Sequence, residues 1–390
     1  MTTAPLWLLT PSGQSASGAF IDDTLKLRAQ EQGMLGRLTG AGDFPRQRVE
    51  VVRGADPAAL VNELYYRRGW TDGLPIVAPT LERVDGMLAS VALGRNASLG
   101  ELDPLRGVAT IEKVAANAVM AGCVPVHFPL VVAAVRALVL PEFNLRGVQT
   151  TDENVAPVLI VSSPQAAELD LNDGFGALGP GWRGNAAIGR AVRFVMNNIG
   201  GGWPAAVSMA GLGQPARYTL CFAENESLSP WPALRVEHGF REEQTVLTVL
   251  RAESVINVTG GAEEIASVMG SAASAFSMAH GGIVTVILSP YTANRLAERG
   301  LSKGDVKAWL YERGRVPRAS FETFWLKAKT MQASRWPDWI QSVDANGPLP
   351  VVESPENITL VVAGANIAIS QQAYLPTWGF PDCRIHQAIN

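Results

Sequence analysis

The chain of 390 residues is 47% apolar and 17% charged, too long for one minimal domain and able to bury a sizeable core, which excludes a disordered protein. Its net charge of −4, with no basic run long enough to follow a phosphate backbone, excludes nucleic acid as a partner. No apolar stretch reaches the roughly 18 residues of a membrane span, and residues 1–13 lack the basic flank of a secretory signal, so no membrane partner and a cytoplasmic location are expected.

In chain order, residues 1–55 read as an N-terminal arm, polar and Gly- and Ser-containing at 12–18 and 39–43, with a charged helix near 22–32. Asp56-Pro57 then predicts a helix start, N-cap followed by proline at the first position, with Leu60, Leu64 and Tyr65 along it. The stretch Trp70-Thr-Asp72-Gly73-Leu-Pro75 holds an Asp-Gly reversal, where Asp72 is either a turn former or an acid. Thr110-Ile-Glu112-Lys113 predicts a helix over 111–122, with Thr110 as cap and Glu112 in the first turn, where the dipole favours a carboxylate. Lys113 and Asn117 can meet one turn apart, whereas Glu112 and Cys123 lie roughly 16 Å apart along the axis. Cys123, at a helix C-terminus, reads as a buried inert thiol or as a nucleophile with His127 as its base.

A recurring unit follows. Val158-Leu-Ile-Val-Ser-Ser163-Pro164 and Val284-Thr-Val-Ile-Leu-Ser289-Pro290 align without a gap, each a buried strand handing over to a Pro-led helix. Each is preceded by a helix of small residues, at 112–122 and 263–274, and 74–80 and 358–364 look like reduced copies of the same step. The fold class expected is α/β: pseudo-duplicated, with a mixed central sheet layer flanked by helices and an N-terminal arm. The expected boundaries are 1–55 for the arm, 56–240 for a first half and 241–390 for a second, packed with the first as one unit.

Gly179-Pro-Gly181-Trp-Arg183-Gly184-Asn185 contains GxGxxG without the strand that a dinucleotide site requires. It is a Gly-rich turn before a helix over 186–196, either structural or an anion site completed by Arg183 and Arg190. Phe222-Ala-Glu224-Asn225-Glu226 ends a strand over 218–223, and alternation puts Glu224 and Glu226 on one face with Asn225 turned away. They are a solvated turn, a pair for proton transfer or ligands for a hard cation, and His238 could border the same pocket. Cys221 alternates with apolar residues and reads as strand core. The histidines at 127, 238, 280 and 386 have no zinc-ligand spacing, the three cysteines form no CxxC, and no GxSxG occurs, so neither metal nor cofactor is expected.

Several stretches together resemble an uncharacterised bacterial family associated with UGSC-type (seleno)proteins. They are Arg68-Gly-Trp-Thr-Asp-Gly-Leu-Pro75, Ala109-Thr-Ile-Glu-Lys113 with Asn117-Ala-Val-Met-Ala-Gly-Cys123, Gly179-Pro-Gly-Trp-Arg-Gly-Asn185 with Ile188-Gly-Arg190, Phe222-Ala-Glu-Asn-Glu226, Glu237-His-Gly-Phe240, and Leu301-Ser-Lys-Gly-Asp-Val-Lys307. The resemblance runs over about residues 56–375 and implies a shared polar set: Asp72, Glu112, Lys113, Cys123, Asn185, Arg190, Glu224, Asn225 and Glu226. This chain lacks a Cys-Gly-Ser-Cys-like dithiol, carries Ala216-Arg217 where the resemblance predicts Gly-Lys, and ends divergently at 386–390.

Two functions are open. One is a metal-independent hydrolase or lyase acting on a small polar, anionic substrate. Its acid–base groups would be drawn from Lys113, Glu224, Glu226, Glu112, Cys123 and Asp72, and its binding groups from Arg183, Asn185, Arg190, Asn225 and His238. The other is a partner subunit that completes the site of a thiol or selenol redox protein. A homodimer or higher homo-oligomer is expected, and Lys113, Asn185, Arg190, Glu224 and Glu226 are expected to share one cleft.

Overall fold

Asp56 caps the first long helix as expected, its carboxylate accepting from Ala59 N at 3.0 Å, and Pro57 opens helix α1 (Pro57–Arg67). The structure is a computed structural model that describes residues 6–9, 49–274, 278, 281–323, 336–369, 371–379 and 381–389. The helix expected near 22–32, the stretches 12–18 and 39–43, and His280 lie outside these residues. Of the arm, strands β1 (Leu6–Leu9) and β2 (Val49–Val52) are described, paired antiparallel with Leu6 opposite Val52. On α1 the buried side chains are Val61 and Tyr65, while Leu60 is exposed.

The chain divides into two compact units whose segments interleave: Met1–Asn154, Trp182–Leu220 and Ile389–Asn390 in the first, Val155–Gly181 and Cys221–Ala388 in the second. Residue 240, the expected boundary between halves, lies inside the second unit.

The first unit is mainly helical. After α1 come α2 (Leu81–Leu88), an antiparallel pair β3 (Ser98–Leu102) and β4 (Gly107–Thr110), then α3 (Ile111–Ala121), α4 (Phe128–Leu138), α5 (Leu145–Thr150) and α6 (Arg183–Asn198). Thr110 caps α3 by accepting from Lys113 N at 3.4 Å, and Gly122 ends it in the left-handed region at φ 94°, a position that favours glycine. All of α3 except Lys113 is buried. Its alanines let it approach α6 and α4 closely, and each apolar side chain fully withdrawn there contributes roughly 1.5–3 kcal/mol if it is Val, Ile, Leu or Met. Residues 74–79, expected as a reduced strand, form none; two prolines in six positions remove ladder donors, and the segment leads to Thr80, which caps α2.

The second unit holds two four-stranded sheets that share a pairing pattern over three strands. One has the order β14-β7-β5-β6 and the other β12-β9-β13-β8, while β10 (Arg315–Val316) and β11 (Leu349–Pro350) form a separate antiparallel pair. In the first, β5 (Ala156–Ser162) runs parallel to β6 (Cys221–Ala223) and antiparallel to β7 (Thr245–Ala252), with β14 (Ile385–Ile389) at the edge. In the second, β9 (Val284–Leu288) runs parallel to β12 (Ile358–Val362) and antiparallel to β13 (Gln371–Leu375), with β8 (Ile256–Thr259) at the edge. Of the inner strands, β5 and β9 are buried along their whole length, which is why their sequences read as continuous β-branched runs. The recurring sequence unit thus marks one inner strand in each of the two sheets.

The steps after those strands differ. Ser289 caps α8 (Pro290–Ala297), accepting from Thr292 N at 3.3 Å, as the Ser-Pro pattern predicts. After Ser163-Pro164 the expected helix is replaced by turns over residues 164–170. Gln165 O accepts from Leu169 N at 3.3 Å, but Asp170 turns left-handed at φ 51° and Leu171 N closes back on Ala166 O at 3.1 Å, so the coil stops after one turn. Helices α7 (Ala262–Met269) and α9 (Lys303–Arg313) complete the unit's longer elements.

Candidate functional site

In the second unit, β5 and β6 lie side by side and parallel, so their C-terminal ends open at the same edge. Glu224 N continues the ladder onto Val161 O at 2.9 Å, which sets the Glu224 side chain beside Ser162. The Ser162 hydroxyl can donate to Glu224 Oε2 at 2.8 Å or to Glu226 Oε1 at 3.2 Å, and both carboxylates therefore lie on one side of the chain. Asn225 turns away, as alternation predicts: its Oδ1 accepts from Leu228 N at 3.1 Å and from Ser227 Oγ at 3.3 Å.

The two carboxylates differ in setting. Glu224 is 1% exposed and accepts from Leu234 N at 2.8 Å; burial pushes its carboxyl up, against the pull of Lys303, that backbone donor and Ser162. Glu226 is partly exposed and ion-paired to the buried Arg235, whose Nη1 also donates to Ser162 Oγ at 3.1 Å. Asp173, half-buried, is also raised, first by burial and further by the nearby Glu226. Pairs of carboxyl groups held in unlike environments are how one site keeps an acid and a base at the same pH.

A second group of charges adjoins the first. Ser302 caps α9, which puts Lys303 and Lys307 one turn apart on one face. Lys303 Nζ is 4.0 Å from Glu224 and 2.8 Å from Glu237, and Lys307 binds the other oxygen of Glu237. Burial acts to raise Glu237, but the two lysines outweigh it and hold the carboxyl down at about 2. His238 stacks on His386 with ring centroids 4.2 Å apart, and His386 Nδ1 is 2.9 Å from Thr248 Oγ1. Burial, then His238 and Arg384, push His386 down to about 4.

The other candidates belong to the first unit. Arg190 holds Asp72 through two contacts, Nε to Oδ2 at 2.7 Å and Nη2 to Oδ1 at 2.9 Å, and donates to Pro75 O at 2.9 Å. Its guanidinium, expected as a substrate anchor, grips a carboxylate of the chain itself. Glu112 pairs with Arg95, which also binds Asp85. Lys113 Nζ donates to Val108 O at 3.3 Å, and burial lowers its ammonium while Glu112 opposes that. Asn117 Oδ1 accepts from Asn198 Nδ2 at 2.8 Å inside the helix packing. Asn185 is buried in the first turn of α6, and Arg183 is exposed. Cys123 is buried, and His127 Nδ1 accepts from Val124 N at 3.3 Å, a local closure of its own turn. Burial pushes Cys221, in the core of β6, up to about 12.

The five residues expected to share one cleft thus divide by unit: Lys113, Asn185 and Arg190 in the first, Glu224 and Glu226 in the second. Sequence reasoning missed Ser162, Arg235 and Lys303. A serine ending a buried strand was a usable signal for the first, and Lys303 stood in the Leu301–Lys307 stretch already singled out. It also missed Arg193, Asn197 and Arg217, which line a cleft of about 530 Å³ in the first unit; Arg190, Arg193 and Asn197 at spacings of three and four were the readable sign. Among the described residues, no group of three or more His, Cys, Asp or Glu could hold a metal ion. Also among them, no single helix is long and apolar enough to cross a membrane. Comparison with protein-family models, curated proteins and solved structures finds no match for the chain.

Proposed function

We propose that this chain is an enzyme, a hydrolase or lyase, acting on a small polar, anionic substrate through carboxylate–lysine acid–base chemistry. The observation that supports it is the single Ser162 hydroxyl set between a buried, raised Glu224 and a partly exposed, Arg235-paired Glu226. In this reading Glu226 is the general base that meets the substrate. Glu224, whose carboxyl burial pushes up, stands behind it, and Ser162, which can donate to only one carboxylate at a time, couples the two. Lys303 lies beside Glu224 and supplies the positive charge. None of these roles calls for a metal or cofactor. The cytoplasm and a homo-oligomeric assembly belong to the same proposal.

The test is a panel of small anionic esters, amides and hydroxy acids offered to the purified chain, with Glu226→Gln and Glu224→Gln alongside. Glu226→Gln should lose on the order of 10²–10⁴-fold in turnover, the usual contribution of a general base. Glu224→Gln, which keeps the shape but fixes the group neutral, should shift the pH optimum more than the maximum rate. Unchanged turnover in both variants would move the active site elsewhere. A second reading, a subunit completing the site of a thiol or selenol protein, draws on the burial of all three cysteines, since reactive sulfur would then have to come from the partner. Activity that appears only on adding such a protein would favour it.

A further inference from the structure

The cleft of the first unit is built differently from the carboxylate pair. Its walls combine an apolar part, Trp203, Pro204, Leu212 and Pro215, with a cationic corner formed by Arg193 and Arg217. Arg193 is 7% exposed; its Nε donates to Arg217 O at 2.8 Å, which fixes the guanidinium plane, while Nη2 is buried without an acceptor among the described residues. Arg217 is steadied by donation from its Nη2 to Ser208 Oγ at 2.9 Å. Asn197, one helical turn after Arg193, is 8% exposed and keeps a buried Oδ1 without a donor among the described residues. Asp72, also on the wall, is already neutralised by Arg190.

Leaving a buried donor and a buried acceptor unmade costs about 1–3 kcal/mol each, more for a charged group, so such pairs in a cleft wall are places a ligand can satisfy. The cost to the charged form of Arg193 shows independently: burial, with Arg217 adding to it, pushes its guanidinium down to about 9. The unmet groups prescribe the ligand. Nη2 requires an anionic acceptor, Oδ1 of the residue one helical turn further along α6 requires a donor, and the apolar wall takes a hydrocarbon body.

We infer that this cleft binds a small organic carboxylate bearing a hydroxyl or amino group next to the carboxylate and an apolar substituent, with the carboxylate on Arg193 and the neighbouring donor on Asn197. A volume of about 530 Å³ suits such a ligand. The site rests on the first unit alone and does not depend on the roles given to Glu224 and Glu226.

The experiment is calorimetric titration of the full chain with mandelate, benzoate and inorganic phosphate. Mandelate should bind saturably and roughly three- to tenfold more tightly than benzoate, the value of one added hydrogen bond. Arg193→Gln should weaken mandelate by roughly tenfold or more, and Asn197→Ala should erase the preference over benzoate. Because Arg193 is buried and its variant could fail to fold, Leu212→Glu provides a second arm: Leu212 is 92% exposed on the cleft wall, so a carboxylate there leaves the core intact yet repels the ligand. Absence of saturable binding by either carboxylate would overturn the inference, as would phosphate binding more tightly than both. Affinity for mandelate unchanged in Leu212→Glu would overturn it too.

Discussion

Ser162 shows how much one hydroxyl can organise when its neighbours are buried. It donates to one of two carboxylates and accepts from Arg235. Replacing it with alanine leaves Glu224 and Arg235 each short of a partner, so Ser162→Ala should cost about 1–3 kcal/mol of stability, read as a lower urea midpoint. An unshifted midpoint would mean that water replaces the hydroxyl without loss. Asp72 and Arg190 make the same argument with charges. Their side chains are 5% and 16% exposed, and removing one partner strands the other. Asp72→Asn should therefore destabilise by about 2–3 kcal/mol, somewhat less than for a fully buried pair. The sequence supplied both residues but not their union, because 118 positions separate them and neither carries a spacing rule. The carboxylate pair was more legible: alternation along one short strand suffices to put Glu224 and Glu226 on one face. Its third member, Ser162, arrives through strand pairing, which local pattern does not encode.

At the scale of elements, the same substitution separates packing from propensity. Gly86 sits in the exposed face of α2, where an added Cβ would meet nothing within 4 Å. Gly189 sits in the interior of α6, where a Cβ would fall 2.3 Å from Thr219 Oγ1 and 2.9 Å from Leu220 N. Gly86→Ala should stabilise by about 0.5–1 kcal/mol, the helix propensity gain alone. Gly189→Ala gains the same propensity but must displace backbone and strain the bond from Thr219 Oγ1 to Asn185 O, so a net loss of about 1–2 kcal/mol is expected. Thermal melts of the two variants should move in opposite directions. Caps and buried runs were the legible part of the fold: Asp56, Thr110 and Ser289 each begin a helix, and β5 and β9 are the strands their β-branched runs announce. What failed to read was competition. Ser163-Pro164 has the same start signal as Ser289-Pro290, but the left-handed turn at Asp170 ends the coil before a helix forms. The interleaving of the two units is likewise a matter of long-range packing, which periodicity does not report.

For the molecule as a whole, the charge cluster around His386 makes stability depend on acid, and the sign follows from which state takes the proton. His386 is held down at about 4, against an ordinary value near 6.5. Between these limits the unfolded chain binds a proton that the folded chain refuses, so the contribution of His386 is complete above pH 6.5 and fades as pH falls toward 4. His238, lowered by burial first and then by Arg384, acts in the same direction. Glu237, held down at about 2, adds stability above its ordinary value near 4.5 that is lost between there and 2. Glu224 works oppositely: burial raises it, so its contribution is complete below 4.5 and declines as pH rises through its folded value. Wild-type slopes therefore mix signs, and a difference measurement isolates the histidine. Urea midpoints of wild type and His386→Asn should diverge as pH rises from about 4 to 6.5, by at most about 1.4 kcal/mol per pH unit for one proton, and run parallel above it. Asparagine can keep a hydrogen bond to Thr248, so the comparison tests the proton rather than the contact. Parallel curves across the whole acid range would show that His386 takes its proton in the folded protein as readily as in the unfolded chain, and the stack with His238 would then have no part in acid stability.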